Sequence, residues 1–272
     1  MSIAFVCVQV MSGCEGASFR LCPEKAAKWS AQIRVAIESL HLDSGSAQKL
    51  AGRLNFATQY LFHKLGRAMI KPIYAQKTTG TGNVGPRLLE ALVWWLRVLM
   101  QNITERRAWK GSDMRPCRLY VDAASTPARL AAVLFIDGHV FYSDAPPTRQ
   151  LMEQLAARRD KQITSLEIIG ILMALATFAD RLQGRKVILY SDNKGAEHTT
   201  AKGSARAFDH NQLVHEIWTL VFQLGIHLWI ERVPSKFNIS DSPSRFEYQI
   251  MYDIGAQWCR PVLDSVRILP PG

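Results

Sequence analysis

"KVILYSDNKGA", residues 186–196, decides the fold. Val187, Ile188, Leu189 and Tyr190 form an unbroken apolar run, the pattern of a strand buried on both faces. The run leads straight into Ser191, Asp192 and Asn193, so a buried strand delivers a carboxylate at its carboxyl end. "CRLYVDAA" (117–124) has the same form and ends at Asp122. "ARLAAVLFIDGHVFYSDA" reads as two strands around Asp137-Gly138, a two-residue hairpin signal. "TSLEIIGILMALATFADRL" is a strongly apolar helix, residues 208–224 are helical, and "IHLWIERV" is a further strand. The order β-β-β-α-β-α-β-α predicts an α/β fold with a mixed five-stranded sheet flanked by helices. A right-handed crossover sets "VILYSD" parallel to and beside "RLYVDA". Asp122 and Asp192 then close neighbouring strands, about 5 Å apart.

Two bare carboxylates at that spacing repel, and such pairs signal a shared proton or a shared cation. Glu167 in the first turn of the apolar helix and Asp241 in "NISDSPSR" extend the pattern to four acids. A set of oxygen donors without a Cys or His pair suits a hard cation such as Mg²⁺. Each acid also has a local reading. Glu167 follows Thr164 at capping-box spacing, Asp192 precedes "NKGAEHT" as an N-cap would, and Asp241 stands before a short helix. Asp122 has no local donor to explain it.

The composition, 48% hydrophobic and 21% charged over 272 residues, is that of a globular chain with a real core. Five cysteines without metal-site spacing read as reduced thiols of a cytoplasmic or nuclear protein. "ALVWWL" is bracketed by Glu90 and Arg97, which makes it a buried helix rather than a membrane span. Residues 23–117 hold 15 Lys/Arg against 6 Asp/Glu, whereas 118–272 hold 17 against 16. The net charge of +10 is thus concentrated in one segment, as a polyanion partner requires, although a solvated surface gives the same count.

That basic segment is helical by pattern. "EKAAKWSAQIRVAIESL" carries an apolar stripe through Trp29, Ile33, Ala36 and Leu40. A second helix restarts with Ser44 or Ser46 as N-cap and buries Leu50, Leu54, Ala57 and Leu61. After the loop 76–86 a helix runs from Pro86 to about Ile103. "TERRAWKGSDMRP" (104–116) reads as a polar linker. The expected divisions are 1–22, a helical region 23–110, the sheet domain 111–247 and a tail 248–272.

Four segments, "LYVDAAS", "TSLEIIGILMAL", "VILYSDNKGA" and "RVPSKFNISDSPSR", resemble the acidic motifs of the ribonuclease H domain of retroelement reverse transcriptases. The last is similar to an N-x-x-D-x-x-S-R ending, formed by Asn238, Asp241, Ser244 and Arg245. "CPEKAAKW", "KLAGRLNFA" and "LGRAMIKPIY" resemble the thumb and connection that precede such a domain, with 1–22 as the end of a palm. The "ALVWWL" helix is similar to one in DIRS-like retrotransposons.

The resemblance implies that Asp122, Glu167, Asp192 and Asp241 hold two Mg²⁺, with Mn²⁺ as a substitute. It implies cleavage of the RNA strand of an RNA–DNA hybrid, leaving a 5′ phosphate and a 3′ hydroxyl. Ser191, Asn193 and Ser125 become candidates for sugar or phosphate contacts. Lys49, Arg53, Lys64, Arg67 and Lys71 become candidates for tracking phosphates, and a solvated helix face explains the same residues. The loop before Asp241 lacks the histidine common in the family, which implies either that Arg232 or Lys236 stands in for it or that turnover is slow. No Y-x-D-D occurs, so the partner implied besides nucleic acid is the missing polymerase part. The rival reading is a catalytically decayed ribonuclease H-like module that only binds nucleic acid.

Overall fold

A computed structural model describes residues 2–5, 8–61, 63–79, 81–109, 115–156 and 162–263. The chain forms two compact units, residues 1–113 and 114–271. The division expected at 110/111 lies outside the described residues.

The first unit opens with β1 (Ser2–Phe5), β2 (Val8–Ser12) and β3 (Gly16–Leu21). The helices α1 (Pro23–Glu38), α2 (Ser44–Leu61), α3 (Arg67–Thr79) and α4 (Pro86–Met100) follow, and then β4 (Thr104–Ala108). The sheet is antiparallel in the order β1-β2-β3-β4. Trp29, Ile33 and Ala36 of α1 and Leu50, Leu54, Ala57 and Leu61 of α2 are buried, as their spacing predicts. Leu40 lies beyond the end of α1 and is exposed. The cap of α2 is Asp43, whose Oδ1 accepts from the Ser46 N–H at 2.9 Å, and not Ser44 or Ser46.

The reading of 104–116 as linker is corrected over its first five residues. β4 pairs with β3, so the region 23–110 is not wholly helical. Its charges obscured the strand. Alternation puts Glu105 and Arg107 on one face, where Glu105 accepts from His63 at 2.9 Å and Arg107 at 2.7 Å.

The second unit runs β5 (Cys117–Ser125), β6 (Ala128–Ile136), β7 (His139–Ala145), α5 (Arg149–Ala156), α6 (Ile163–Thr177) and α7 (Ala179–Leu182). It continues with β8 (Lys186–Ser191), α8 (Lys194–Lys202), α9 (Phe208–Gln223) and β9 (His227–Arg232). A 3₁₀ turn (Ser235–Phe237), α10 (Asp241–Ser244), α11 (Gln249–Asp253) and β10 (Gln257–Trp258) complete it. The result is a mixed α/β unit whose sheet order is β10-β7-β6-β5-β8-β9. Asp137 and Gly138 both take positive φ, the conformation a tight β6–β7 hairpin demands.

The sheet has six strands, not five. The sixth, β10, is two residues long and pairs with β7 inside the segment read as a tail. Two residues carry no alternation that a sequence could reveal. β5 and β8 are parallel neighbours with Tyr120 opposite Tyr190, and their rings stack at 4.7 Å. Every residue of α6 from Ser165 to Leu175 is buried, among them Gly170. A Cβ at Gly170 would lie 3.0 Å from Val121 Cγ1, so this glycine lets α6 approach β5 directly behind Asp122.

Candidate metal centre

Asp122 is the sixth residue of β5, and Asp192 directly follows the end of β8. The parallel register therefore brings both to one edge of the sheet. Glu167 projects from α6 to the same place. One oxygen from each of Asp122, Glu167 and Asp192 lies within 4.8 Å of the others, an arrangement that can hold a metal ion. The cleft around them is about 490 Å³. It is also lined by Ser125, Thr126, Asn193, Ser235, Asp241 and Arg245.

The local explanations for these acids fall away. Glu167 is the fifth residue of α6, two positions deeper than a capping-box glutamate. Thr164 lies within the helix, and the N-cap is Gln162 without a side-chain bond. The N-cap of α8 is Asn193, whose Oδ1 accepts from Gly195 N–H at 2.9 Å and Ala196 N–H at 3.0 Å. Asp192 is thereby left to the cleft. Asp241 is the first residue of α10, not its cap.

Burial sets the protonation of the pair at the centre. Asp122 is 4% exposed, and burial followed by the charges of Asp192 and Asp241 raises its pKa to about 6, against the Ser244 hydrogen bond. Glu167 is 3% exposed, and burial with the charges of Asp122 and Asp192 pushes it to about 9. The backbone N–H of Ala123 bonds the Glu167 carboxylate, but Oε2 is buried without a hydrogen-bond partner. An orphaned buried carboxylate oxygen beside two more carboxylates is what a cation would satisfy, and an all-oxygen set fits a hard ion.

Asp122 is held by residues more than a hundred positions away. Asn238 Nδ2 donates to Val121 O at 3.0 Å and to Asp122 Oδ1 at 3.3 Å. Ser240 Oγ donates to Asn238 Oδ1 at 2.7 Å, which fixes the amide's orientation. Ser244 Oγ lies 2.5 Å from Asp122 Oδ2 and 2.9 Å from Asp241 O, with one proton for the two acceptors. The motif "NISDSPSR" thus supplies a fourth acid and also the donors that orient the first.

Asp241 stands apart from the triad. It is partly exposed and accepts from Arg245 Nε at 2.8 Å, yet it is close enough to raise the pKa of Asp122 and Glu167.

The other site candidates are dispersed. Ser191 is fully buried, and its hydroxyl accepts from the Asn193 N–H at 3.2 Å, so it shapes the turn rather than meeting a ligand. Arg232 and Lys236 are exposed and do not line the cleft, while Ser235 between them does. In the first unit Lys49 is exposed, whereas Arg53, Lys64, Arg67 and Lys71 are half-buried. Arg53 donates to Gln32 Oε1 at 3.1 Å, and burial lowers the pKa of Lys64 and Arg67. Thr126, Ser235 and Arg245 join the cleft without having been site candidates by sequence; only Arg245 carries a signal, its place in the last motif.

Comparison with protein-family models and with curated proteins gives no match to this chain. No helix among the described residues is long and apolar enough to cross a membrane.

Proposed function

We propose that the second unit is a ribonuclease H-type endonuclease that hydrolyses the RNA strand of an RNA–DNA hybrid with bound Mg²⁺. One observation carries the reading: three acids from β5, α6 and β8 converge within 4.8 Å, and the buried Glu167 Oε2 among them has no protein partner. Bound in pairs, divalent ions of this kind activate a water and neutralise charge at a leaving oxygen. Asp122, Glu167 and Asp192 would hold them, with Asp241 completing the set.

The chain's own residues do the rest. Asn238 and Ser244 fix the rotamer of Asp122, and the buried α6 fixes Glu167, so the ligand oxygens are positioned before any ion enters. Ser125, Thr126, Asn193 and Ser235 line the cleft. They offer the polar groups needed to read a 2′-hydroxyl, the feature that separates RNA from DNA. The basic excess of residues 23–117 supports a polyanion partner, and we assign residues 23–110 as the counterpart of a reverse-transcriptase thumb and connection.

The test is cleavage of a labelled RNA–DNA hybrid with Mg²⁺ or EDTA, for the wild type and Asp192→Asn. Mg²⁺-dependent cutting, lost in the variant while hybrid binding persists, is the expected result. Binding without cutting under any divalent ion would instead make the unit a decayed module.

A further inference from the structure

The cleft is acidic, yet the substrate proposed for it is an anion. Among the described residues that line it, Arg245 is the one Lys or Arg. Its Nε is bonded to Asp241 Oδ1 at 2.8 Å, and its side chain is 60% exposed. A guanidinium has five donors, so the terminal NH₂ groups remain for a second acceptor. Asp241 is the acid that falls outside the 4.8 Å cluster. The residue best able to meet a phosphodiester is therefore the one that occupies the fourth acid. The cluster itself points to a ligand independently, through the unpartnered Oε2 of Glu167, a side chain 3% exposed.

We propose that Arg245 is an exchangeable latch: it neutralises Asp241 in the free protein and transfers to the phosphodiester of the bound strand, which releases Asp241 to the acidic cluster. This rests on the nuclease reading and adds to it a positioning residue with two alternative partners. The exchange is driven by charge. A phosphodiester brings one negative charge to a cleft where Arg245, the one Lys or Arg among the described lining residues, is already paired. Moving Arg245 onto it leaves Asp241 uncompensated beside Asp122 and Glu167, which strengthens the attraction of that cluster for a divalent ion. Substrate and ion affinities are then linked, and the linkage runs through one side chain.

The latch predicts a non-additive cycle. Binding of a short fluorescent RNA–DNA hybrid is measured by anisotropy in EDTA, where no cutting occurs, for the wild type, Asp241→Asn, Arg245→Gln and the double variant. Asp241→Asn frees Arg245 permanently and tightens hybrid binding about fivefold or more in the wild-type background. In the Arg245→Gln background the same change has almost no effect. Equal tightening in both backgrounds would reduce Asp241 to a simple repulsive charge and overturn the latch.

Mn²⁺ titration followed by electron paramagnetic resonance gives a second readout. Arg245→Gln binds Mn²⁺ more tightly than the wild type without hybrid, whereas a residue that merely props up Asp241 would weaken it, and that result also overturns the proposal. The nuclease reading stands or falls on cutting in Mg²⁺, so an additive cycle beside normal cutting removes the latch alone. A wild type that binds no hybrid in EDTA removes the latch, and one that also cuts none in Mg²⁺ removes both.

Discussion

Two buried aspartates lie on one rung of the second sheet and meet opposite surroundings. Asp122 pairs with Ala131, and Ala131 pairs with Asp144. Asp144 is 6% exposed, close to the 4% of Asp122. Its Oδ2 accepts from Arg129 Nε at 2.7 Å, from Arg129 Nη2 and from the Tyr248 hydroxyl at 2.8 Å. Trp258 Nε1 lies 3.3 Å from its Oδ1. That carboxylate is fully answered by the protein, and it holds residues 248–258 against the sheet. Asp122 has two neutral donors and three acidic neighbours, Glu167, Asp192 and Asp241, instead. Burial alone does not mark a reactive acid; burial without a countercharge does.

The comparison breaks most sharply on activity. Asp122→Asn lowers Mg²⁺-dependent hybrid cleavage by about a thousandfold or more, whereas Asp144→Asn leaves measurable cutting at temperatures where it stays folded. Single-turnover assays of both variants decide this, and equal losses would erase the distinction.

Stability reverses the ranking. Arg129→Met strands a buried carboxylate and costs about 3–5 kcal/mol in urea denaturation. Glu167→Gln removes a carboxylate that the fold keeps protonated at a cost, and in EDTA at pH 8 it stabilises the unit by roughly 2 kcal/mol.

The pH dependence follows from the same two groups. The folded pKa values of Asp122 and Glu167, about 6 and about 9, lie above the ordinary 3.8 and 4.5. The folded state therefore binds more protons than the unfolded state across that range. Their contribution to stability is greatest below the ordinary values and declines as pH rises from 4 towards 9. Mg²⁺ opposes the decline, because its ligands must be deprotonated, so the Mg²⁺-induced rise in Tm is larger at pH 8 than at pH 5.5. Thermal scans with and without EDTA measure both effects.

The smallest effect is on the donors. Ser244→Ala costs about 1 kcal/mol of stability and raises the pKa of Asp122 further, which shifts the acidic limb of the cleavage profile upward.

The sequence reveals the place of one of these two aspartates and hides the role of the other. Asp122 was legible because an apolar run ends in acid, and because a hairpin at Asp137-Gly138 and a helical crossover determine which strand lies beside it. Those are local patterns with a period. Asp144 was not legible, because its partners Tyr248 and Trp258 are about a hundred residues away in a segment without a long strand or helix. The donors to Asp122 were hidden for the same reason: Asn238 and Ser244 announce a motif, but which atoms they serve is a tertiary fact. Thr104–Ala108 was missed because a strand of four polar residues and one alanine has the composition of a linker.

That last strand has a practical consequence for the first unit. β3 and β4 lie side by side, yet some eighty residues carrying four helices separate them in the chain. The helices are therefore an excursion whose exit and return are riveted to each other. A protein fragment cut at residue 22 or at residue 103 would not liberate a helical domain; it would tear a sheet edge open and leave an adhesive strand behind. A short turn joining Leu21 to Thr104 should instead close the sheet cleanly, with the whole basic helical cargo lifted out.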